Sequence, residues 1–153
     1  MLGNRFYTRA SMTIGAFGLR LAGKINVPVY RLSGGRLFGK IGTAPVLLLT
    51  TTGRRTGQQR TAPVVYMPDG ERMIVIGSNA GHAKAPAWAL NLEAKPEVEV
   101  EVGRRRQPVR ARIASGEERE QLWQRMTTEW YEGFDDYAQR TDRDIRLFIL
   151  EPR

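Results

Sequence analysis

"PVLLLTTTGRRTGQQRTAPVVYMPDGERMIVI", residues 45–76, holds three apolar runs separated by two glycine-containing turns, one at Gly53 and one at Asp69-Gly70. The runs "PVLLLTT", "TAPVVYM" and "RMIVIGS" are short and rich in β-branched side chains, which fits strands better than helices. Turn residues between such runs favour antiparallel hairpins. Further along, "VEVEV" alternates strictly, Gly103 marks a turn, "VRARIA" alternates again and "RLFILE" closes the chain. Six strands with turn signals between them predict a mixed, mainly β protein of the α+β class, its antiparallel hairpins curled into a small barrel.

Two helices interrupt the strands. "PAWALNLEAKP" starts at a proline and stops before Pro96, and "SGEEREQLWQRMTTEWYEGF" opens on Ser115 with early acids and keeps Leu122, Met126 and Trp130 on one face. Residues 6–25 read as an amphipathic N-terminal helix with Met12, Phe17, Leu21 and Ile25 on its apolar side. It is too interrupted by charge to span a bilayer and lacks a persuasive signal-peptide pattern. Residues 31–44 are glycine-rich and read as a connection. The expected organisation is an N-terminal helix and connecting segment over 1–40, then a barrel domain over 41–153.

Composition narrows the chemistry. The 153 residues suit one core, contain no cysteine and carry a single histidine, His82. Disulfides, thiol nucleophiles and multi-histidine metal sites are thereby excluded, and a reducing cytoplasm is the natural compartment. The net charge is +8, yet the first acidic residue is Asp69, after ten lysines and arginines. An anionic partner is expected: nucleic acid, anionic lipid or a phosphorylated small molecule.

The loop "GRRTGQQR" concentrates that charge, because Arg54, Arg55 and Arg60 stand among glycines and hydroxyls with no acid beside them. Glycine lets backbone N–H groups approach a ligand, threonine donates hydrogen bonds, and arginine offers a planar fork suited to phosphate or carboxylate. An anion cradle and a solvated hairpin tip are both consistent with the spacing. It is not a P-loop, lacking that motif's lysine and helix. A second basic cluster, "RRRQPVR" at 104–110, has no interleaved aromatic platform and argues against nucleic-acid binding.

Residues 76–92, "IGSNAGHAKAPAWALNL", end a strand in small residues, pass His82 and Lys84, and enter a helix at Pro86. A flat ligand could lie against Ser78, Ala80 and Ala87 while Lys84 and the helix N-terminus face negative charge; equally, the helix could simply cap the barrel through Trp88 and Leu92. His82 is either a general acid or a loop histidine without function. In "TTEWYEGFDDYAQRT", Trp130, Tyr131, Phe134 and Tyr137 could pack a core or lid, or line a substrate pocket.

Three stretches taken together, "LLLTTTGRRTGQQRTAPVVY", "GSNAGHAKAPAWALNLEAKPEVEVEV" and "WYEGFDDYAQRTDRDIRLFILEP", resemble the deazaflavin-dependent nitroreductase family of actinobacteria over roughly residues 40–152. The resemblance implies a split β-barrel of the flavin-reductase and pyridoxamine-oxidase type. It also implies coenzyme F420, an 8-hydroxy-5-deazaflavin with a phosphate and an oligoglutamate tail, as cofactor. On that likeness Arg54, Arg55, Thr56 and Arg60 match positions that hold the tail, with Lys84 as a further contact. Val64, Val65, Ser78, Asn79, Ala80, Pro86, Ala87, Trp88 and Asn91 match the segments around the ring.

The same likeness implies that Tyr131, Phe134 and Tyr137 contact substrate, with Tyr137 donating a hydrogen bond as charge develops on the acceptor. The implied activity is hydride transfer from reduced F420 to an electron-poor quinone, activated alkene or nitroaromatic compound. Rival readings are a non-catalytic F420 carrier and a barrel that binds flavin mononucleotide. The positive, acid-free N-terminal helix reads either as a helix packed on the core or as a surface helix that makes a peripheral contact with a partner or with the inner face of the cell membrane.

Overall fold

The computed structural model describes residues 25–41, 44–77, 85–130 and 145–153. Eight strands form one antiparallel sheet: β1 (Lys40–Ile41), β2 (Ala44–Thr52), β3 (Gln59–Val65), β4 (Met67–Asp69), β5 (Arg72–Ile76), β6 (Glu97–Val102), β7 (Arg105–Ile113) and β8 (Leu147–Pro152). Their order is β1-β2-β6-β7-β8-β5-β4, with β3 paired to β2. The sheet curls until β3 meets β5, giving the split-barrel architecture.

All six expected strands are present. Two short ones, β1 and β4, extend the list, since Met67 belongs to a separate three-residue strand that folds back on β5 rather than to the end of β3. The 31–44 segment is not wholly a connection. Residues 25–33 form helix α1, and Lys40 pairs with Pro45 across β1 and β2. The greater part of the helix expected over 6–25 lies outside the described residues.

Each strand's two faces meet different neighbours, which explains its hydrophobic pattern. On β2, Leu47 and Leu49 point into the barrel core, while Val46 and Leu48 lie under Tyr30 of α1 on the outside. On β8, Phe148 and Leu150 face inward, and Leu147 and Ile149 face a second cluster beneath Leu122 and Met126. Both strands are covered twice, so they read as continuous apolar runs instead of alternating. Burying each such side chain stabilises by about 1.5–3 kcal/mol.

Strand β6 is the contrast. Val98 and Val100 enter the core while Glu97, Glu99 and Glu101 project outward. The register sets Glu97 against Arg110 and Glu101 against Arg106, and the outer face becomes a ladder of ion pairs. Two of the four arginines of "RRRQPVR", Arg106 and Arg110, therefore serve the sheet.

Helix α2 (Ala87–Ala94) is entered from Pro86 and packs Ala89 and Leu92 on the barrel interior. Gly77 at the end of β5 permits the close approach, since a Cβ there would stand 3.1 Å from that of Ala89. Helix α3 (Gly116–Arg125) follows Ser115 with Glu117 and Glu118 in its first turn, where they complement the helix dipole. It runs directly into a π-helical turn at Met126–Trp130. Among the described residues no helix is long and apolar enough to cross a membrane.

Candidate functional site

The arginine loop is a closed, six-residue tip between β2 and β3. The ladder of the two strands ends at the Thr52–Gln59 pair. Beyond it, Gly53 donates its N–H to the Gln58 carbonyl at 2.7 Å, and Gly57 donates to the Gly53 carbonyl at 2.8 Å. Gly57 adopts φ +71°, a conformation that glycine enters without a steric cost. The Thr56 hydroxyl accepts the Gln58 N–H at 3.2 Å, so it helps to shape the turn and retains its own proton for donation.

This tip holds Arg54, Arg55 and Thr56 in the open, and Arg60, the second residue of β3, is exposed beside it. Among the described residues no carboxylate pairs with any of the three guanidinium groups; Arg60 reaches only the Gln58 side-chain oxygen, at 3.4 Å. Several arginines elsewhere are engaged. Arg31 and Arg106 converge on Glu101, Arg112 bridges Glu118 and Glu151, and Arg72 and Arg125 both hold Asp69. Three unneutralised guanidiniums around a glycine-hinged turn form a donor set that fits a polyanionic tail.

Asn91 links this loop to α2. Its Oδ1 accepts the Arg54 backbone N–H at 3.1 Å and its Nδ2 donates to the Thr51 hydroxyl at 3.1 Å. Thr51 and Asn91 are both buried. The resemblance brings Asn91 to the ring-binding segment, and the structure shows its side chain already engaged within the protein. Thr51 was not singled out from sequence. The available signal was its phase, since it lies two residues beyond Leu49 on the same interior face of β2.

The other predicted residues fall as follows. Pro86 is half-buried at the entry of α2, and Ala87 is exposed in its first turn. Trp88 is half-buried against the core, its ring tilted 58° to that of Phe148 with centroids 6.0 Å apart. Val64 belongs to the barrel core whereas Val65 packs with the outer clusters, so a ligand on one side of β3 reaches only one of them. Ser78, Asn79, Ala80, His82, Lys84, Tyr131, Phe134 and Tyr137 lie outside the described residues. Ser78–Lys84 run between β5 and α2, and Tyr131 follows the π-helical turn.

A separate cavity of about 180 Å³ lies between the β4–β5 hairpin and the β6–β7 hairpin, with Tyr66, Met73, Val100, Val102 and Arg105 in its wall. It contains none of the predicted site residues. Burial raises the Tyr66 phenol above its ordinary range, which keeps it neutral at physiological pH.

Residues 22–152 match the family described as F420H(2)-dependent quinone reductase. The chain is 34% identical over 133 residues to F420H(2)-dependent quinone reductase Rv1261c of Mycobacterium tuberculosis, covering 85% of this chain and 89% of that one. A solved structure of an F420-H2-dependent reductase, FDR-A, superposes with TM-score 0.64 at 36% identity, over 70% of this chain and 94% of the other. Another solved chain, described as a domain-swapped dimer, gives 0.66 at 33% identity over 83% and 96%.

Proposed function

The chain belongs to the F420H(2)-dependent quinone reductase family, which makes it an oxidoreductase with coenzyme F420 as cofactor, and we propose that its acceptor is an electron-poor small molecule, a quinone first. An activated alkene or nitroaromatic compound would meet the same chemical requirement. The observation that carries the site assignment is that, among the described residues, no carboxylate pairs with Arg54, Arg55 or Arg60, whereas Arg72, Arg106, Arg110 and Arg112 of the sheet are ion-paired.

When bound, reduced F420 supplies the hydride, from carbon 5 of its ring. The protein's part is binding, orientation and polarity. Arg54, Arg55 and Arg60, with Thr56 and Lys84, hold the phosphate and glutamates by charge-assisted hydrogen bonds. Val64, on the same side of β3 as Trp88, with Ser78, Asn79 and Ala80, and the α2 entry at Pro86, Ala87 and Trp88, would border the ring, and Val65 on the opposite face would not. Tyr131, Phe134 and Tyr137 contact the acceptor, and the Tyr137 hydroxyl donates a hydrogen bond to its oxygen as negative charge grows there. No acid-base dyad is required by such a reaction, in keeping with a chain that has one histidine and no cysteine.

The decisive experiment is titration of the protein with reduced F420, followed by oxidation of the coenzyme with a panel of quinones, enones and nitroaromatics. Turnover with a quinone supports the reading. Tight binding without turnover on any acceptor would favour a carrier, and no binding at low ionic strength removes the site assignment.

A peripheral membrane contact is a second reading, favoured by one feature beside α1. Leu32, Leu37 and Phe38 are 83%, 58% and 48% exposed, and Arg36 and Lys40 are exposed among them with no acid between residues 31 and 40. Phe38 sits at φ +60°, a strained conformation for a bulky residue, in a turn where Gly35 donates to the Tyr30 carbonyl and Leu37 to the Ser33 hydroxyl. An ordered turn that presents apolar groups among cations suits an anionic bilayer. The same positive charge disfavours pairing with a second copy of itself.

A further inference from the structure

Asparagine is a poor choice for the buried side of a short helix. It has low helix propensity, and its amide loses water that an apolar side chain would not miss. Asn91 nevertheless occupies that side of α2, next to Leu92 and two residues from Ala89, all buried. Both polar ends of the amide are satisfied, one by Thr51 and the other by the backbone of Arg54. The second bond matters for the loop. Among the described residues, the remaining hydrogen bonds of residues 53–58 stay within the hairpin: Gly53 to Gln58, Gly57 to Gly53, Gln58 to Thr56, and the Arg60 side chain to that of Gln58. Among the described residues, Arg54 N–H to Asn91 is the hydrogen bond by which this tip reaches an element outside it.

We propose that Asn91 is a positioning residue that locks the arginine loop to α2, and so sets the spacing between the groups that bind the coenzyme's anionic tail and those that border its ring. The inference rests on the reading of Arg54, Arg55 and Arg60 as the tail cradle. A hairpin tip with only internal bonds can rock about the end of its ladder; a bond to a helix packed in the core fixes it at one distance. The helix is the right anchor because its entry, Pro86 to Trp88, lies one turn before Asn91 on the same rigid element. Asn91 needs no contact with the coenzyme to do this.

The role predicts a split between two substrates. One is reduced F420; the other is the same deazaflavin truncated before its phosphate, which has a ring and no anionic tail. For Asn91→Ala, the KM for the full coenzyme should rise about three- to tenfold, as expected for one lost hydrogen bond. The KM for the truncated form should change by less than about twofold, with little change in kcat for either. Asn91→Asp keeps an oxygen acceptor for Arg54 N–H and can accept from the Thr51 hydroxyl, so it should restore the preference for the full coenzyme. Thr51→Val removes the other bond and leaves the Arg54 contact; it should lower thermal stability while keeping the preference.

If Asn91→Ala raises both KM values alike, or if Thr51→Val abolishes the preference as completely as Asn91→Ala does, the amide is only structural and the proposal fails. The proposal also fails, with the reading of the arginine cradle intact, if Asn91→Ala binds the full coenzyme like wild type. A wild-type protein that does not prefer the tailed coenzyme would instead overturn the cradle, and this inference with it.

Discussion

The Tyr30 hydroxyl accepts the Gly103 backbone N–H at 2.9 Å, joining helix α1 to the turn between β6 and β7. The same hydroxyl donates to the Val46 carbonyl at 3.0 Å, and the ring is buried over Val46 and Leu48. Burial raises its pKa above the usual phenol value, so it stays a neutral donor through the physiological range. Beside it, Arg31 donates to the largely buried Glu101 carboxylate at 2.8 Å. Tyr30→Phe should cost about 1–2 kcal/mol, because it leaves a carbonyl and an amide without their partner. Differential scanning calorimetry should show the melting temperature lowered by about 3–6 °C; an unchanged value would mean that α1 is not anchored by this hydroxyl.

Arginine position, rather than arginine number, should control coenzyme affinity. Arg54→Gln or Arg60→Gln is expected to weaken F420 binding roughly ten- to hundredfold, on the scale of a charge-assisted hydrogen bond. Arg106→Gln removes the same charge from the sheet ladder, where the side chain faces Glu99 and Glu101. Its affinity should remain within about twofold of wild type. Calorimetry at two salt concentrations separates the cases, since the cradle variants should also show a shallower salt dependence.

Acid should loosen the junction of the β4–β5 hairpin with α3. The Asp69 carboxyl is held below its ordinary pKa, first by its hydrogen bond with Arg72 and then by Arg125 at 3.0 Å. A depressed folded-state pKa means that the contribution is fully present above the unfolded value, near 4, and is lost as pH falls through the folded one. Asp69→Asn should lower stability at pH 7 by about 0.5–1 kcal/mol. Urea denaturation at pH 7 and pH 3 would then show the wild-type advantage shrinking on acidification; an advantage of equal size at both values would sink the assignment.

Vesicle binding tests the exposed turn beside α1. Wild type should co-sediment with vesicles containing anionic lipid and not with neutral ones, and the double variant Leu37→Ser/Phe38→Gly should bind at least about tenfold more weakly. Glycine is the natural residue at φ +60°, so the substitution at 38 relieves strain and should not lower the melting temperature. Equal sedimentation of the two proteins would reject the contact. Self-association of wild type that the variant abolishes would assign the patch to a second copy instead.

Much of this fold is legible locally. The alternation of "VEVEV", the turn at Gly103 and the acids after Ser115 are short-range signals, and β6, β7 and α3 appear where they predict. The two short strands escaped because a two- or three-residue element has no period to read; β1 exists only because Pro45 and Ala44 lie opposite it. Resemblance brought the arginine loop and Asn91 into one candidate site, yet nothing in the spacing reveals that a buried amide on one binds the backbone of the other across 37 residues of chain.

The sequence by itself determined the strand-forming segments, the charge of the loop at 53–60, and the family, because side-chain type and local turn chemistry are properties of neighbours along the chain. Tertiary structure alone decided which arginines remain available. Strand register pairs Arg106 and Arg110 with the glutamates of β6 and leaves Arg54, Arg55 and Arg60 without a carboxylate among the described residues, since ion pairing depends on distance in space.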